Sequence, residues 1–245
     1  SLVSVVQTWG TSPRPVGSLL AVSSTGKFFG SVSGGCVEED LIEILTTQPC
    51  DQIKLIMYGE TSEQRHRFGL PCGGALQLAV EPLNDIDEVK RLLTAIQNRK
   101  TIIRKSSLTS QSTELSKWNK QSPSLSNNVW LNVFGPTWRL IIVGAGETGR
   151  YLAEMGTGLG YDILVSDPRP EYRKNWPLRQ INLLEGFPDD IIESLNVDCR
   201  TAIVAVAHDP KVDDMALLTA LKSDAFYVGA LGSKLSNQQR RDRLI

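Results

Sequence analysis

The sequence has few cysteines, no excess of charge of one sign and no long apolar run. Its four cysteines, Cys36, Cys50, Cys72 and Cys199, are too few for a disulfide scaffold in a chain of 245 residues, and none lies in a C-x-x-C pair of zinc-site spacing. The 26 Lys and Arg residues against 27 Asp and Glu residues argue against a nucleic-acid or anionic-membrane binder. We therefore expect reduced thiols and a partner that is neither nucleic acid nor membrane.

The sequence also lacks the signals of membrane insertion and secretion. No apolar stretch approaches the roughly 18 residues that span a bilayer, and the opening SLVSVVQTWG has no basic n-region. Apolar residues make up 41% and charged residues 22%, which is ordinary globular usage. We expect a folded cytoplasmic protein.

A polar stretch divides the chain. Residues 105–128, KSSLTSQSTELSKWNKQSPSLSNN, show neither a helical nor a strand period. We predict that they form a linker between a domain at residues 1–104 and a domain at residues 129–245. The alternative is a long surface loop within one domain, although structureless loops of this length are uncommon in compact domains.

Apolar spacing predicts a small α/β domain first and a doubly wound parallel sheet second. In the first domain we predict strands at Leu2–Trp9, Ser18–Val22, Ile53–Tyr58 and Leu76–Val80, and helices at Val37–Leu45 and Ile86–Ile96. In the second, strands at Arg139–Val143, Asp162–Ser166, Thr201–Val206 and Phe226–Val228 alternate with helices at Glu147–Leu159 and Asp213–Lys222. Such alternation is typical of a parallel, Rossmann-like sheet.

A glycine loop follows the first strand of the second domain. Gly144, Gly146 and Gly149 form a GxGxxG between a strand and a helix, where glycines and helix N–H groups accommodate a pyrophosphate. Asp167 ends the next strand, where an acid accepts hydrogen bonds from a ribose. The alternative is a glycine turn kept for packing. Glu147 competes with an anion for the start of the helix, which leaves the ligand open.

His208 lies at the same predicted edge of the sheet, directly after the strand TAIVAV. It is a candidate acid, base or phosphate contact. A hydrogen bond to Asp209 or to a backbone carbonyl is an equally good interpretation.

Two cysteines lie in glycine-rich loops of the first domain. Cys36 follows Gly34 and Gly35 and precedes a predicted helix, whereas Cys72 precedes a second glycine pair, formed by Gly73 and Gly74. Glycines allow close approach of a partner, and a helix start favours a thiolate. The alternative for each cysteine is a small buried apolar residue. Glu38, Glu39 and Asp40 oppose a thiolate at Cys36, with Arg14, Arg65 and Arg67 as possible counter-charges.

Together these segments resemble a known family. The motifs GSVSGGCVEEDL, YGETSEQRHRFGLPCGG, IIVGAGETG and FYVGALGSK are similar to those of the XdhC/CoxI family, accessory proteins of molybdenum hydroxylases such as xanthine dehydrogenase. The resemblance implies a chaperone that binds the molybdenum cofactor, as molybdopterin or its dinucleotide form, protects or assists its sulfuration and delivers it to an apo molybdenum hydroxylase. It also implies a homodimer and a cysteine desulfurase as partner.

The resemblance implies roles for single residues. Cys72 and Cys36 become the reactive residues that contact the cofactor's terminal sulfur or molybdenum, with Cys72 as the contact to the metal. Gly144, Gly146 and Gly149 hold its phosphate or dinucleotide part, and Arg14 and Arg169 pair with phosphate oxygens. Family members usually continue beyond the position of Ile245, so we expect the second domain to be C-terminally incomplete. Members also often have another residue at the position of Glu147.

Two other functions stay open at this stage. An NAD(P)-dependent oxidoreductase would use the GAGETG loop and Asp167, with His208 as acid or base, but it leaves the cysteine loops without a role. A scaffold that only recruits the molybdoenzyme or the desulfurase would hold no ligand. The resemblance favours a cofactor chaperone over a catalyst.

Overall fold

The computed structural model describes residues 1–12, 14–70 and 74–244. The chain forms two compact units, Ser1–Pro136 and Thr137–Ile245. Unit 1 contains strands β1 (Leu2–Trp9), β2 (Leu19–Val22), β3 (Phe28–Gly30), β4 (Lys54–Tyr58), β5 (Ala75–Glu81), β6 (Ile102–Ser107), β7 (Ser112–Lys117), β8 (Ser124–Ser126) and β9 (Val129–Phe134), and helices α1 (Glu38–Thr47), α2 (Ser62–Arg67) and α3 (Ile86–Gln97).

The strands of unit 1 form two antiparallel sheets, and α1 covers the first of them. The first sheet has the order β3-β2-β1-β5-β4, and the second has the order β7-β6-β9-β8. On one face of the first sheet, Val3, Leu20 and Leu78 pack with Leu41 and other residues of α1. On its opposite face, Val6 and Ala79 pack against Trp130 of the second sheet. Side chains alternate across a strand, so both faces of the central strands β1 and β5 are buried, whereas the edge strand β3 is exposed.

The second sheet corrects the predicted linker. Residues 105–128 form the end of β6 and all of β7 and β8, so they are not a structureless connection, and the division between the units falls after Pro136. β7 and β8 are edge strands, where polar side chains are common because one face or one edge meets solvent. Their few apolar residues, Leu115 and Leu125, pack against buried clusters. A strand pattern carried by single leucines is too weak to recognise in the sequence.

A buried ionic cluster joins the parts of unit 1. Arg104 on β6 donates from Nη1 to Glu81 Oε1 at 2.6 Å and from Nε to Glu88 Oε1 at 2.9 Å. Thr113 on β7 donates to the second oxygen of Glu88 at 2.7 Å. All three charged side chains are less than a tenth exposed. The cluster therefore connects β5, α3 and β6 through buried ion pairs, in which Arg104 compensates the charges of both glutamates.

Unit 2 contains strands β10 (Arg139–Val143), β11 (Asp162–Ser166), β12 (Asn182–Leu184), β13 (Thr201–Ala205) and β14 (Tyr227–Ala230). Its helices are α4 (Glu147–Gly158), α5 (Pro170–Lys174), α6 (Pro188–Ser194), α7 (Pro210–Ala220) and α8 (Lys234–Leu244). The strands form one parallel sheet in the order β12-β11-β10-β13-β14.

Helices cover both faces of this parallel sheet. Ile141 and Val143 of β10 pack with residues of α6 and α7, whereas Ile142 packs on the opposite face with Ala153 of α4. The α/β class and the Rossmann-like doubly wound sheet predicted from the sequence are therefore confirmed. Within the described ranges, no helix combines the length and the apolar character that a membrane crossing requires.

We predict that Arg104→Met destabilises unit 1 by about 3–5 kcal/mol, because Glu81 and Glu88 would keep buried charges without a cation. Urea denaturation followed by circular dichroism measures the loss. Arg91→Met, at an exposed position of α3, is the matched control and should change the free energy of unfolding by less than about 0.5 kcal/mol. Equal unfolding midpoints for the two variants would contradict the role of the cluster.

Candidate functional site

The glycine loop of unit 2 lies between β10 and α4, at the carboxyl edge of the parallel sheet. Gly144 has φ +119°, and a Cβ there would lie 2.6 Å from the backbone of Ala207. A Cβ on Gly149 would meet the carbonyl oxygen of Gly144. Gly146, in contrast, has ordinary extended dihedrals, and a Cβ there would meet only Tyr172 Cε1, at 3.7 Å. Packing therefore requires the first and third glycines, whereas space remains above the second.

Asp167 anchors this loop from the end of β11. Its carboxylate is fully buried and accepts hydrogen bonds from the backbone N–H of Ala145 at 2.8 Å and from Arg169 at 2.8 Å and 2.9 Å. Burial by itself raises the pKa of Asp167, but the bonds from Arg169 and Ala145 lower it below its ordinary value. Both oxygens bond within the protein, so the predicted ribose contact would require one of these bonds to open.

An open cleft lies beside the loop, with a volume of about 770 Å³. This volume is within the range of small-molecule sites. Glycine-loop residues, one face of α4 and the segment from α5 onwards form its walls: Ala145, Gly146, Glu147, Arg150, Glu154, Glu171, Tyr172, Asn175, Pro177 and Leu178. The Tyr172 ring lies 3.9 Å from the guanidinium carbon of Arg169, which covers one of its faces.

His208 lies exposed after β13, at the same edge of the sheet as the glycine loop. Its φ of +56° is uncommon for a residue with a side chain, and such conformations cluster at functional sites. Asp209 does not bind His208: its carboxylate caps α7 by accepting from the N–H of Lys211 at 3.0 Å. The structure thus brings His208, Asp167 and the three glycines to one edge, as the strand order predicts.

Asp213 is a buried residue of this edge that sequence reasoning missed. It accepts a hydrogen bond from the N–H of Ala207 at 3.0 Å and lies 3.4 Å from Arg240 of α8. Burial raises the pKa of Asp213 above its ordinary value. The Asp213 carboxylate therefore fixes the backbone directly before His208. In the sequence, the role of Asp213 is indicated only by its place in the HDPKVDD segment, four residues after Asp209.

The first cysteine loop of unit 1 is built around the carboxylate of Glu38. This side chain accepts hydrogen bonds from four backbone N–H groups and two hydroxyls of residues 31–37: Val32 at 3.0 Å, Ser33 at 2.9 Å, Gly35 at 3.0 Å, Val37 at 3.3 Å, the Ser31 hydroxyl at 2.7 Å and the Ser33 hydroxyl. Burial by itself raises the pKa of Glu38, but these bonds lower it to about 2. Glu38, expected to oppose a charge at Cys36, instead shapes the loop.

Cys36 is half-buried on this loop: it packs partly against the core of unit 1 and directly follows the exposed Gly34 and Gly35. Its thiol donates to the carbonyl oxygen of Gly69 at 3.7 Å, so the loop that precedes Cys72 meets the loop of Cys36. Arg14 donates from Nε to Ser31 Oγ at 3.3 Å, which places its guanidinium beside the same loop. Two of the predicted glycine segments thus come together around one thiol.

The second cysteine loop is described only at its two ends. Cys72 and Gly73 lie outside the described residues. Gly74 is described, and a Cβ there would lie 2.7 Å from the carbonyl oxygen of Thr11, so the backbone passes close to the segment after β1.

A hydrogen-bonded cluster holds α2 against α1, which positions Gly69 near Cys36. The buried hydroxyl of Tyr58 donates to Asp40 Oδ2 at 2.6 Å, and Arg67 lies 3.6 Å from the other oxygen of Asp40. The rings of Tyr58 and Phe68 meet edge to face at 5.0 Å. Burial, with the bond to Asp40, raises the pKa of Tyr58 far above its ordinary value. Arg67 therefore balances Asp40, as one of the counter-charges predicted near Cys36.

Metal-ligand clusters and disulfides are not found in the part of the chain that the structure describes. No group of three or more His, Cys, Asp or Glu side chains among those residues is arranged to hold a metal ion. Cys36, Cys50 and Cys199 are free thiols, of which Cys50 is buried and Cys199 is exposed.

Comparison with known proteins gives two family matches. The XdhC Rossmann domain matches residues 140–245, and the XdhC and CoxI family matches residues 1–47. The molybdenum cofactor insertion chaperone PaoD of Escherichia coli is 28% identical over 99% of this chain and 70% of its own length. A probable xanthine dehydrogenase subunit of Bacillus subtilis is 23% identical over 98% of this chain and 81% of its own length.

A solved structure has the same fold. The crystal structure of a xanthine dehydrogenase from Bacillus halodurans superimposes with a TM-score of 0.76, at 20% identity, over 98% of this chain and 80% of that one. The fold of both units therefore recurs in a solved protein.

We predict that Glu38→Gln destabilises unit 1 by about 2–3 kcal/mol at pH 7, because an amide cannot accept all the bonds of the carboxylate. The folded-state pKa lies below the ordinary 4.5, so the carboxylate stabilises the fold above about pH 4.5 and this contribution is lost as the pH falls towards 2. Urea midpoints across this range should therefore converge for wild type and variant. Glu39→Gln, at the exposed neighbouring position, should follow wild type throughout.

Gly144→Ala and Gly146→Ala should differ sharply in stability. The first introduces a Cβ at a left-handed φ against the Ala207 backbone, and we expect a loss of at least about 3 kcal/mol. The second makes only an ordinary van der Waals contact with Tyr172, at 3.7 Å, and should change stability by about 1 kcal/mol or less. Thermal denaturation of both variants tests this contrast, and similar losses would contradict the close approach of Gly144 to the Ala207 backbone.

Proposed function

Because the chain belongs to the XdhC/CoxI family, accessory proteins of xanthine dehydrogenase maturation, we propose that it binds the molybdenum cofactor and delivers it to an apo molybdenum hydroxylase. Protection or assistance of cofactor sulfuration is part of the same proposal. The observation that carries it is the Cys36 loop, in which a half-buried thiol lies directly after two exposed glycines and meets the loop that precedes Cys72. Similarity to a molybdenum cofactor insertion chaperone over 99% of the chain supports it.

The chemistry of the Cys36 loop suits a sulfur-bearing molybdenum centre. Thiolate is a soft ligand, whereas a carboxylate prefers hard cations. Gly34 and Gly35 carry no side chain that would keep a ligand from the thiol, and Arg14 places a cation beside the loop. In this proposal Cys36 contacts the terminal sulfur or the metal, and Cys72 takes the same role on the strength of its PCGG motif.

The glycine loop of unit 2 is proposed to hold the phosphate or dinucleotide part of the cofactor. Space above Gly146, the N–H groups at the start of α4 and the adjoining cleft support this assignment. His208, exposed at the same edge, is proposed as a further contact. Asp167 supports the site from below by fixing Ala145.

The partners follow from the same proposal. The client is an apo molybdenum hydroxylase of the xanthine dehydrogenase or aldehyde oxidase type, a cysteine desulfurase is a second partner, and the protein acts as a homodimer in the cytoplasm. Similarity to a cofactor insertion chaperone and to a probable xanthine dehydrogenase component supports the choice of client.

Cys36→Ala and Cys72→Ala should each lower bound molybdenum and pterin at least about fivefold, because each removes a soft contact to the cofactor. Metal analysis and pterin fluorescence on protein purified without oxygen, from a host that makes the cofactor, measure the content per chain. Cys199→Ala, which removes an exposed thiol outside both loops, is the matched control and should retain wild-type content.

An NADH titration of the same samples tests the oxidoreductase alternative. Saturable NADH binding by protein that holds no pterin would replace the chaperone proposal. Pterin in wild type and in both cysteine variants at equal levels would remove the thiols from the site.

A further inference from the structure

The cleft beside the glycine loop of unit 2 is acidic. Glu147, Glu154 and Glu171 line it against a single guanidinium, that of Arg150, so three negative charges and one positive charge leave a net charge of −2. Arg150 bonds to Glu147 at 2.9 Å and to Glu154 at 2.8 Å. Because its charge is shared between two carboxylates, Arg150 offers little to an anionic ligand.

Glu147 is the carboxylate nearest to the start of the helix. It is the first residue of α4, directly after Gly146, and its side chain is 78% exposed. An acid in the first turn stabilises a helix by facing its positive end, and an anionic ligand would seek the same N–H groups. Unlike the buried carboxylate of Asp167, that of Glu147 is exposed and lines the cleft, so its charge repels a phosphate group at the start of α4.

The opposite wall has a different character. Tyr172 lies across from Gly146, with one face of its ring stacked on Arg169. An aromatic ring can stack on the base of a nucleoside, and the carboxylates that line the cleft can accept hydrogen bonds from the ribose hydroxyls. Neither the base nor the ribose carries a charge. The negative charge of the cleft therefore weakens the binding of a phosphate group but does not weaken the binding of an uncharged nucleoside.

We propose that Glu147 is a specificity-determining residue that weakens the binding of phosphate groups at the glycine loop without affecting the nucleoside part of the ligand. This inference rests on the proposed role of the loop in holding a phosphate or dinucleotide. Weak retention of the phosphate suits a protein that must pass its ligand to another.

Calorimetric titration of the full chain with adenosine and with ADP tests the role of Glu147, since these probes differ only in the diphosphate. Glu147→Gln should raise the affinity for ADP about fivefold at low salt and leave that for adenosine within about twofold. The gain should shrink in high salt, because the charge is exposed. Glu154→Gln, the other partner of Arg150, is the matched control and should gain about twofold or less.

A third variant separates this inference from the proposed function. Gly146→Val fills the space above the loop and should abolish ADP binding in either background. Equal ADP affinity in wild type and Glu147→Gln, with loss in Gly146→Val, overturns the role of Glu147 and leaves the loop as a phosphate site. ADP binding that survives Gly146→Val removes the loop from the proposed function. Failure of Glu147→Gln to bind ADP would also overturn the inference about Glu147. The proposed function is tested separately, by the molybdenum and pterin content of the protein.

Discussion

Three loops assigned to the sites are each built around a buried carboxylate of the chain. Glu38 gathers the backbone of residues 32–37, Asp167 holds Ala145 in the glycine loop, and Asp213 holds Ala207 before His208. A buried charge is tolerated only when hydrogen bonds surround it, and a loop that supplies those bonds loses its freedom to rearrange. The shape of both candidate sites depends on these hydrogen bonds between the loop backbone and the buried carboxylates.

This construction decides which groups remain for a ligand. Many N–H groups of the Cys36 loop point inward to Glu38, so an incoming molecule meets a thiol, two bare glycines and the guanidinium of Arg14. In unit 2, the N–H of Ala145 donates to Asp167, whereas Gly146 and the start of α4 line the cleft. One candidate site therefore holds a half-buried thiol, and the other presents backbone N–H groups beside a cleft lined by acidic side chains.

The two units differ in how far the sequence predicted them. Continuous apolar runs such as Arg139–Val143 mark strands buried on both faces, so the parallel sheet and its glycine loop were predictable. The second sheet of unit 1 was not, because β7 and β8 are polar edge strands that look like a linker. Its stability comes from partners distant in the chain, such as Arg104 with Glu81 and Asn132 with Ser4, which no local pattern reveals.

The sequence by itself determined the fold class, the position of the glycine loop and the pairing of Cys36 and Cys72 with adjacent glycines, because these depend on local apolar period and on residues adjacent in the chain. Only the tertiary structure decided the role of each acid. Asp167 bonds inward to the glycine loop, and Glu147 lines the cleft. Glu38, which was expected to oppose a thiolate at Cys36, is instead the centre of the hydrogen bonds that shape the Cys36 loop. The reason is that a carboxylate takes whichever donors surround it after folding, and those donors are brought to it by packing.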